Sequence, residues 1–335
     1  MQGVTCHSDG IYGVDAVYGG QPRLAAVHFV IDHGRVAVID TGSNASVPHV
    51  LAALGGLGID PDAVDWVILT HLHLDHAGGA GSLMCALPRA RLAVHSKSVR
   101  HLTNPVRLWE KAVTVFGVGQ AFRLYGRLVP IDERRITPTR DGMELPLGDR
   151  VLRVLDAPGH ACHHTVVWDE YAHVFFTGDA FGVSYREFDV CDRAFVFPTT
   201  SPAQFDPVMM MDSINRMVSY GPQAMYLTHY GRVSGVERLA ADLFRLIHAQ
   251  VAVAQAARGE GLVRYVEILA GLEELVREEC ARQRWALSEE VSLNLLRLDL
   301  SLNAHGLESW LDYTAEREAM EVLGALEAEL EVAVA

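Results

Sequence analysis

Between residues 24 and 228 the chain alternates short apolar, β-branched runs with Gly, Pro and Asp punctuation, the texture of strands separated by turns and helices. The runs predict strands at Leu24–Ile31, Arg35–Asp40, Trp66–Thr70, Arg91–His95, Arg150–Ala157, Thr165–Asp169, His173–Gly178 and Ala224–Thr228. Asp32-His33-Gly34 joins the first two as a hairpin, with a glycine free to take positive φ. Val67-Ile68-Leu69 is apolar at every position, so its strand should be covered on both faces. Helical spacing predicts helices at Val47–Leu57, Ala80–Leu87, Ser98–Thr103, Val106–Phe116 and Pro202–Tyr220. A pair of sheets sandwiched between helix layers fits this order.

After residue 236 the texture changes to long Leu/Ala/Glu/Arg stretches without a proline. Helices are expected at Val236–Ala257, Gly261–Gln283, Ser288–Leu302 and Leu307–Val332, with Ser288 as a helix start. The charge follows the same division. The chain has a formal net charge of −14. Residues 237–335 carry 19 acidic and 9 basic side chains, a net of −10, and the first 236 residues carry −4. These observations divide the chain into an α/β unit over residues 1–236 and a helical unit over 237–335. No internal repeat and no low-complexity tract is evident.

One cluster carries the chemistry. The strand ending at Thr70 runs into His71-Leu72-His73-Leu74-Asp75-His76, followed by Ala77-Gly78-Gly79. An extended strand end points His71 and His73 to the same side. A turn must then bring Asp75 and His76 to the same cavity from another direction. Imidazole and carboxylate together suit Zn, Fe or Mn. Four residues cannot fill two metal shells, and three later strand ends offer more: Gly159-His160, Gly178-Asp179 and Thr228-His229. Strand-end loops on one sheet edge converge in space.

With these elements in order, and with Ile39-Asp40-Thr41-Gly42 ahead of them, the chain resembles the metallo-β-lactamase-fold metallohydrolase superfamily over about residues 20–232. The resemblance implies an αββα sandwich with two divalent metal ions at one edge, Zn foremost with Fe or Mn as alternatives, followed here by an α-helical C-terminal region. Carried over by position, His71, His73 and His160 would hold the first ion. Asp75, His76 and His229 would hold the second, Asp179 would bridge the two, and Asp40 would bond a ligating imidazole from behind. Two cations ~3.5–4 Å apart share a water, lower its pKa and supply a hydroxide that attacks the substrate. Asp75 and Asp179 are then the catalytic carboxylates, with Asp75 shuttling the proton.

Departures from the family narrow the reaction. Asp179 argues against the antibiotic-hydrolysing branches, where a cysteine or no bridging residue stands. The long insertion of the nucleic-acid-cutting branch is lacking. His73 stands where oxygen-reducing diiron relatives carry glutamate, which favours hydrolysis. The C-terminal region has no lysine with which to hold glutathione, and chains of the lactonase branch end sooner. The reading is a dinuclear metal hydrolase of a small ester, thioester or lactone. The alternatives are a non-haem iron oxidoreductase resembling persulfide dioxygenases and a diiron oxygen-binding sensor.

Substrate-contacting candidates lie after Asp179, in Phe181-Gly182-Val183-Ser184-Tyr185-Arg186-Glu187-Phe188-Asp189. Arg186 is a candidate grip for a substrate carboxylate, set against pairing with Glu187 or Asp189. Tyr185 is a candidate oxyanion donor, with Phe188 as apolar wall and Tyr230 beside His229. His163 and His164 read as supports or strand-start residues rather than ligands. Gly78-Gly79-Ala80-Gly81 lacks the following Lys-Ser/Thr of a phosphate loop.

Composition excludes other classes. An acidic surface repels phosphate backbones and anionic lipid, and no local basic patch is evident, so neither nucleic acid nor membrane is expected as a partner. The partner is a small-molecule substrate, and the C-terminal helices are available for a homodimer. Five scattered cysteines, Cys6, Cys85, Cys162, Cys191 and Cys280, form neither a disulfide framework nor a CxxC. The start of the chain has no signal-peptide pattern, and the expected location is the cytoplasm.

Overall fold

The computed structural model describes residues 3–200 and 204–334. Thirteen strands form two mixed sheets among the described residues. The first runs in spatial order through β1 (Val4–Cys6), β2 (Ile11–Asp15), β3 (Ala26–Asp32), β4 (Arg35–Ile39), β5 (Val64–Ile68), β6 (Arg91–His95) and β7 (Ile136–Thr139). It is antiparallel up to the β3–β4 hairpin and parallel from β4 to β7. The second contains β8 (Met143–Leu147), β9 (Arg150–Asp156), β10 (Thr165–Asp169), β11 (Val174–Gly178), β12 (Ala224–Leu227) and β13 (Gly231–Val233), antiparallel except between β11 and β12.

Strands buried on both faces explain the continuous apolar runs. On β4, Ala37 and Ile39 face the layer between the sheets, which also holds Val30, Ile68, Val154, Val167, Phe176 and Tyr226. Val36 and Val38 face the opposite way, onto a core shared with α1 (Val47–Gly56), α3 (Ala80–Ala86) and α5 (Val106–Tyr125). Between α1 and α5 lie also the single turn α2 (Leu74–Ala77) and α4 (Val99–Thr103). Beyond the second sheet, Val166, Trp168 and Phe175 pack with α6 (Pro207–Ser219), α7 (Val236–Ala256) and α8 (Leu262–Gln283). The sandwich is therefore the αββα arrangement the resemblance implies, with helical layers outside two sheets.

Three expectations need correction. The helices at Ser288–Leu302 and Leu307–Val332 are one helix, α9 (Glu289–Val334), running through Gly306 without a break. Val106–Phe116 continues to Tyr125, with non-helical backbone at Gly117. α6 begins at Pro207; Pro202 and Ala203 lie outside the described residues. The change of texture near residue 236 coincides with the start of α7. The same apolar cluster nevertheless joins Phe188, Phe195 and Phe197 to Leu246, Leu272, Trp285, Leu296 and Leu300. The C-terminal helices thus share a core with the second sheet. Among the described residues no helix is long and apolar enough to cross a membrane. The five cysteines are unpaired, and four of them are exposed.

Candidate metal centre

Asp40, one residue past β4, organises the loops above the first sheet. It has positive φ (59°) and is buried. Its carboxylate accepts from the Thr70 N–H at 2.9 Å, the Thr70 hydroxyl at 3.0 Å and the Thr228 hydroxyl at 2.8 Å. It also accepts from His76 Nδ1 at 2.7 Å. A carboxylate has no proton to give, so Nδ1 carries the hydrogen and Nε2 is left as an acceptor. The His76 carbonyl is held in turn by the Thr41 N–H and hydroxyl, at 2.8 and 2.7 Å. One buried acid thus ties together the strand ends that present His71, His76 and His229.

All seven expected ligands converge in two groups, His71–His73–His160–Asp179 and Asp75–His76–His229, each with its donor atoms within 4.8 Å of one another. Asp179 faces both. Its Oδ2 lies 3.3 Å from His160 Nε2 and 3.9 Å from His71 Nε2. Its Oδ1 lies 3.3 Å from His76 Nε2 and 3.8 Å from His229 Nε2. Asp75 Oδ2 is 3.2 Å from His229 Nε2 and 3.6 Å from His76 Nε2. His229 donates through Nδ1 to the Leu24 carbonyl at 2.8 Å, which again frees Nε2. Gly178 makes this approach possible. It has φ 49°, and a Cβ there would stand 2.7 Å from Thr70 Oγ1 and 2.8 Å from His164 Nε2.

Divalent cations fit this donor set. Among the described residues, His76 Nε2 and Asp179 Oδ1 are buried, face each other at 3.3 Å and have no other polar partner closer than that, an arrangement a cation between them would satisfy. His73 Nδ1 lies 2.8 Å from His71 Nε2 and 3.0 Å from His160 Nε2. Nitrogen lone pairs this close require a proton or a cation among them.

The electrostatics divide the groups. Burial, reinforced by neighbouring imidazoles, holds His71 well below its ordinary value and brings His73 down to about 3. Burial likewise lowers His160. Burial pulls on His76 and His229 too, but the carboxylates of Asp179 and Asp75 override it, raising His76 well above its ordinary value and His229 to about 9. Asp179, desolvated yet ringed by His76, His160 and His229, stays far below the usual carboxylate range.

The loop after Asp179 departs from the substrate roles expected of it. Arg186 donates to the Ser184 carbonyl at 2.7 Å, bonds the Ser184 hydroxyl and pairs with Asp189 at 3.2 Å. This is the pairing that stood against a grip on substrate carboxylate. Glu187 pairs with Arg23 at 2.6 Å. Tyr185 is buried and donates to the Asp299 carboxylate at 3.1 Å rather than standing free for an oxyanion. Phe188 packs in the core against Trp285 and Phe195. Tyr230 is half-buried beside the same apolar cluster.

Several residues support the site, and of those that follow only His164 had a role in the sequence reading, as a support. Thr199 Oγ1 lies 2.9 Å from His160 Nδ1. His164 accepts the Asp179 N–H at 3.1 Å and stacks on His71, ring centroids 4.7 Å apart. The Tyr18 and Tyr125 hydroxyls meet at 2.9 Å, and burial plus the nearby Asp75 charge raises both phenols. Charges of both signs gather on α4 and the start of α5, where Glu110 stands with Arg100 and Arg107. Arg100, Arg107 and Lys111, spaced along α4 and the start of α5, surround His101 and, with burial, depress it. Lys97 donates to the carbonyl of Cys162, two residues past His160, at 3.4 Å. Lys97, Arg100 and Glu133 line a cavity of about 490 Å³. Thr199, one of two adjacent threonines after a proline, left a trace too common to read.

The comparisons agree with this geometry. The family whose sequence profile matches is the metallo-beta-lactamase superfamily, over residues 20–229. The metallo-beta-lactamase fold-containing protein ST1585 of Sulfurisphaera tokodaii is 30% identical over 230 residues, 67% of this chain and 80% of its own length. The crystal structure of ST1585 superposes with a TM-score of 0.63 at 24% identity, covering 90% of this chain and 99% of the other. The human acyl-coenzyme A thioesterase MBLAC2 is 27% identical over 185 residues, 51% of this chain and 63% of its own length. The sandwich, the ordered His and Asp ligands and these matches together make the chain a member of the metallo-beta-lactamase superfamily.

Proposed function

We propose that this chain is a dinuclear metal hydrolase of a small ester, thioester or lactone. The observation that carries the reading is the orientation of Asp179, which turns one carboxylate oxygen toward each histidine group. His71, His73 and His160 would hold one ion, Asp75, His76 and His229 the other, and Asp179 both. Bound there, divalent cations supply Lewis acidity and a water activated near neutral pH. The chain's own residues do the rest. Asp40 and the Leu24 carbonyl hold the protons of His76 and His229 on Nδ1, so that Nε2 of each faces inward. Asp75 keeps about a quarter of its side chain exposed and is the carboxylate able to pass a proton between the site and the leaving group. Lys97, which bonds the Cys162 carbonyl two residues past His160, and Arg100 beside it are the cations available to an anionic part of the substrate, and the thioesterase named among the relatives supports a thioester within the set.

The test is metal analysis of the purified protein beside a panel of p-nitrophenyl esters, lactones, thioesters and phosphodiesters. Close to two first-row ions per chain and chelator-sensitive cleavage of an ester, thioester or lactone are expected. One ion per chain after full reconstitution, with oxygen uptake and no hydrolysis, would replace this reading with the iron oxidoreductase.

A further inference from the structure

One face of α9 reaches the support of the metal centre. Asp299, Asn303 and Gly306 are spaced four and three residues apart, which puts them on one side of a helix. Asn303 is 1% exposed. Its amide donates to the Pro198 carbonyl at 2.8 Å and accepts the Thr200 N–H at 2.8 Å. The Thr200 hydroxyl donates back to the Asn303 carbonyl at 2.8 Å. The segment Pro198-Thr199-Thr200 is thus held at both ends by one side chain. Gly306 lets the helix come this close: a Cβ there would stand 2.5 Å from Thr200 Oγ1 and 2.7 Å from the Thr200 carbonyl oxygen. A glycine inside α9 therefore reflects close packing.

Thr199 sits between the two clamped residues. Its hydroxyl donates to the Asp179 carbonyl at 3.3 Å and lies 2.9 Å from His160 Nδ1. A hydroxyl has one proton to give. With that proton directed at Asp179, the His160 contact requires Nδ1–H to donate to Oγ1. Nε2 of His160 then keeps its lone pair, 3.0 Å from His73 Nδ1 and 3.3 Å from Asp179 Oδ2. Among the described residues, the rings of His76 and His229 are held through Nδ1 by Asp40 and the Leu24 carbonyl, and neither Asn303 nor Thr199 bonds to Asp75, His76 or His229.

We infer that Asn303 is a positioning residue for the metal centre. Through Pro198–Thr200 it fixes Thr199, and Thr199 fixes the tautomer and plane of His160. Asn303 thereby sets the affinity of the His71–His73–His160–Asp179 group for its ion and makes no contact with the other group. The inference rests on the two-ion reading above, and its test measures binding rather than turnover.

The full chain, stripped of metal, is titrated with Zn(II) and with Co(II) against a chelating competitor, and its ion-free melting temperature is recorded. Asn303→Ala and Thr199→Val should each weaken one of two ions about 10–100-fold, leave the other within about twofold and alter the Co(II) visible bands of the weakened ion alone. Thr199→Ser, which keeps the hydroxyl, should bind as wild type does. Because both changes break one link, the double variant should lose little more than either single one. Thr199→Val is near-isosteric, so it carries the test should Asn303→Ala fail to fold. Equal weakening of both ions in step with a lower ion-free melting temperature would mean a general structural role and overturn the inference. Normal two-ion binding by wild type and by Thr199→Val would also overturn it. A wild-type chain that takes up no ion would instead remove the two-ion reading on which the inference stands.

Discussion

The two halves of the metal centre are built by different means. The Asp75–His76–His229 half is held from within the sandwich, by Asp40 beneath His76 and by the Leu24 carbonyl behind His229. The His71–His73–His160–Asp179 half leans on a loop that is itself clamped by a helix about a hundred residues further along the chain. They also differ in charge. The first half attracts protons and the second repels them, because only the first has two carboxylates facing two imidazoles. A shared ligand set can therefore rest on one support close in the fold and one distant in sequence, and the two should fail separately.

Removing the residue common to both halves should have the largest effect. Asp179→Ala deletes both bridging oxygens and leaves any two cations without the charge between them. Turnover should fall by about three orders of magnitude or more, with loss of at least one ion by elemental analysis. A variant that retains two ions and wild-type turnover would show that the halves are not coupled through Asp179.

The next effect separates the halves by their supports. Asp40→Ala strands four buried donors at once, those of Thr70 (two), His76 and Thr228. Breaking a buried charged network of this kind costs about 3–5 kcal/mol. The melting temperature should drop by roughly 10 °C, and the ion bound by Asp75, His76 and His229 should suffer more than its neighbour. The reverse order of losses would contradict the comparison.

What could be read from the sequence follows the same division. His71 to His76 lie within six residues, and the strand runs before His71, Asp179 and His229 are apolar on both faces. Short-range spacing and continuous burial write themselves into a sequence. Edge strands do not: β7 and β8, at the ends of their sheets, contain Pro138 and Pro146. Thr199 and Asn303 are chemically unremarkable residues whose meaning comes from a contact across 103 positions. Gly306 admits Thr200 from within a continuous helix, a purpose that a lone glycine does not show in one dimension. Arg186 misled because the sequence offered it both a substrate and an internal partner, with nothing to choose between them.

A pH series sharpens the comparison further. In the ion-free protein His76 is raised well above its ordinary value and His229 to about 9, so below pH 9 the His229 proton must be displaced before an ion can bind, and the raised His76 adds to the same trend. Affinity at this half should fall about tenfold for each proton per unit from pH 9 to 7. His73, at about 3, and the lowered His71 and His160 are already neutral there, so the other half should bind almost independently of pH. The same raised values stabilise the ion-free fold fully below pH 6.5, and that contribution is lost as the pH rises through 9. Chelator-buffered Zn(II) titrations at pH 6, 7, 8 and 9 would reveal one sloping and one flat isotherm series; two parallel slopes would contradict the electrostatic division.

The smallest effect is expected at Arg186. Its guanidinium is already bonded to the Ser184 carbonyl and paired with Asp189, an arrangement that holds the loop after Asp179. Burial depresses this Arg slightly, with Asp189 and Glu187 opposing. The side chain is still about a quarter exposed, so the pair contributes little more than a partly screened surface bridge, about 1 kcal/mol. Arg186→Ala should lower the melting temperature by a few degrees and shift KM for acidic and neutral substrates alike. Arg100→Ala tests the contrasting cation, which lines the cavity beside Lys97. It should raise KM for acidic substrates selectively, by severalfold, while leaving neutral esters and metal content unchanged. A selective effect at Arg186 with none at Arg100 would return the substrate grip to the loop after Asp179 and take it away from α4.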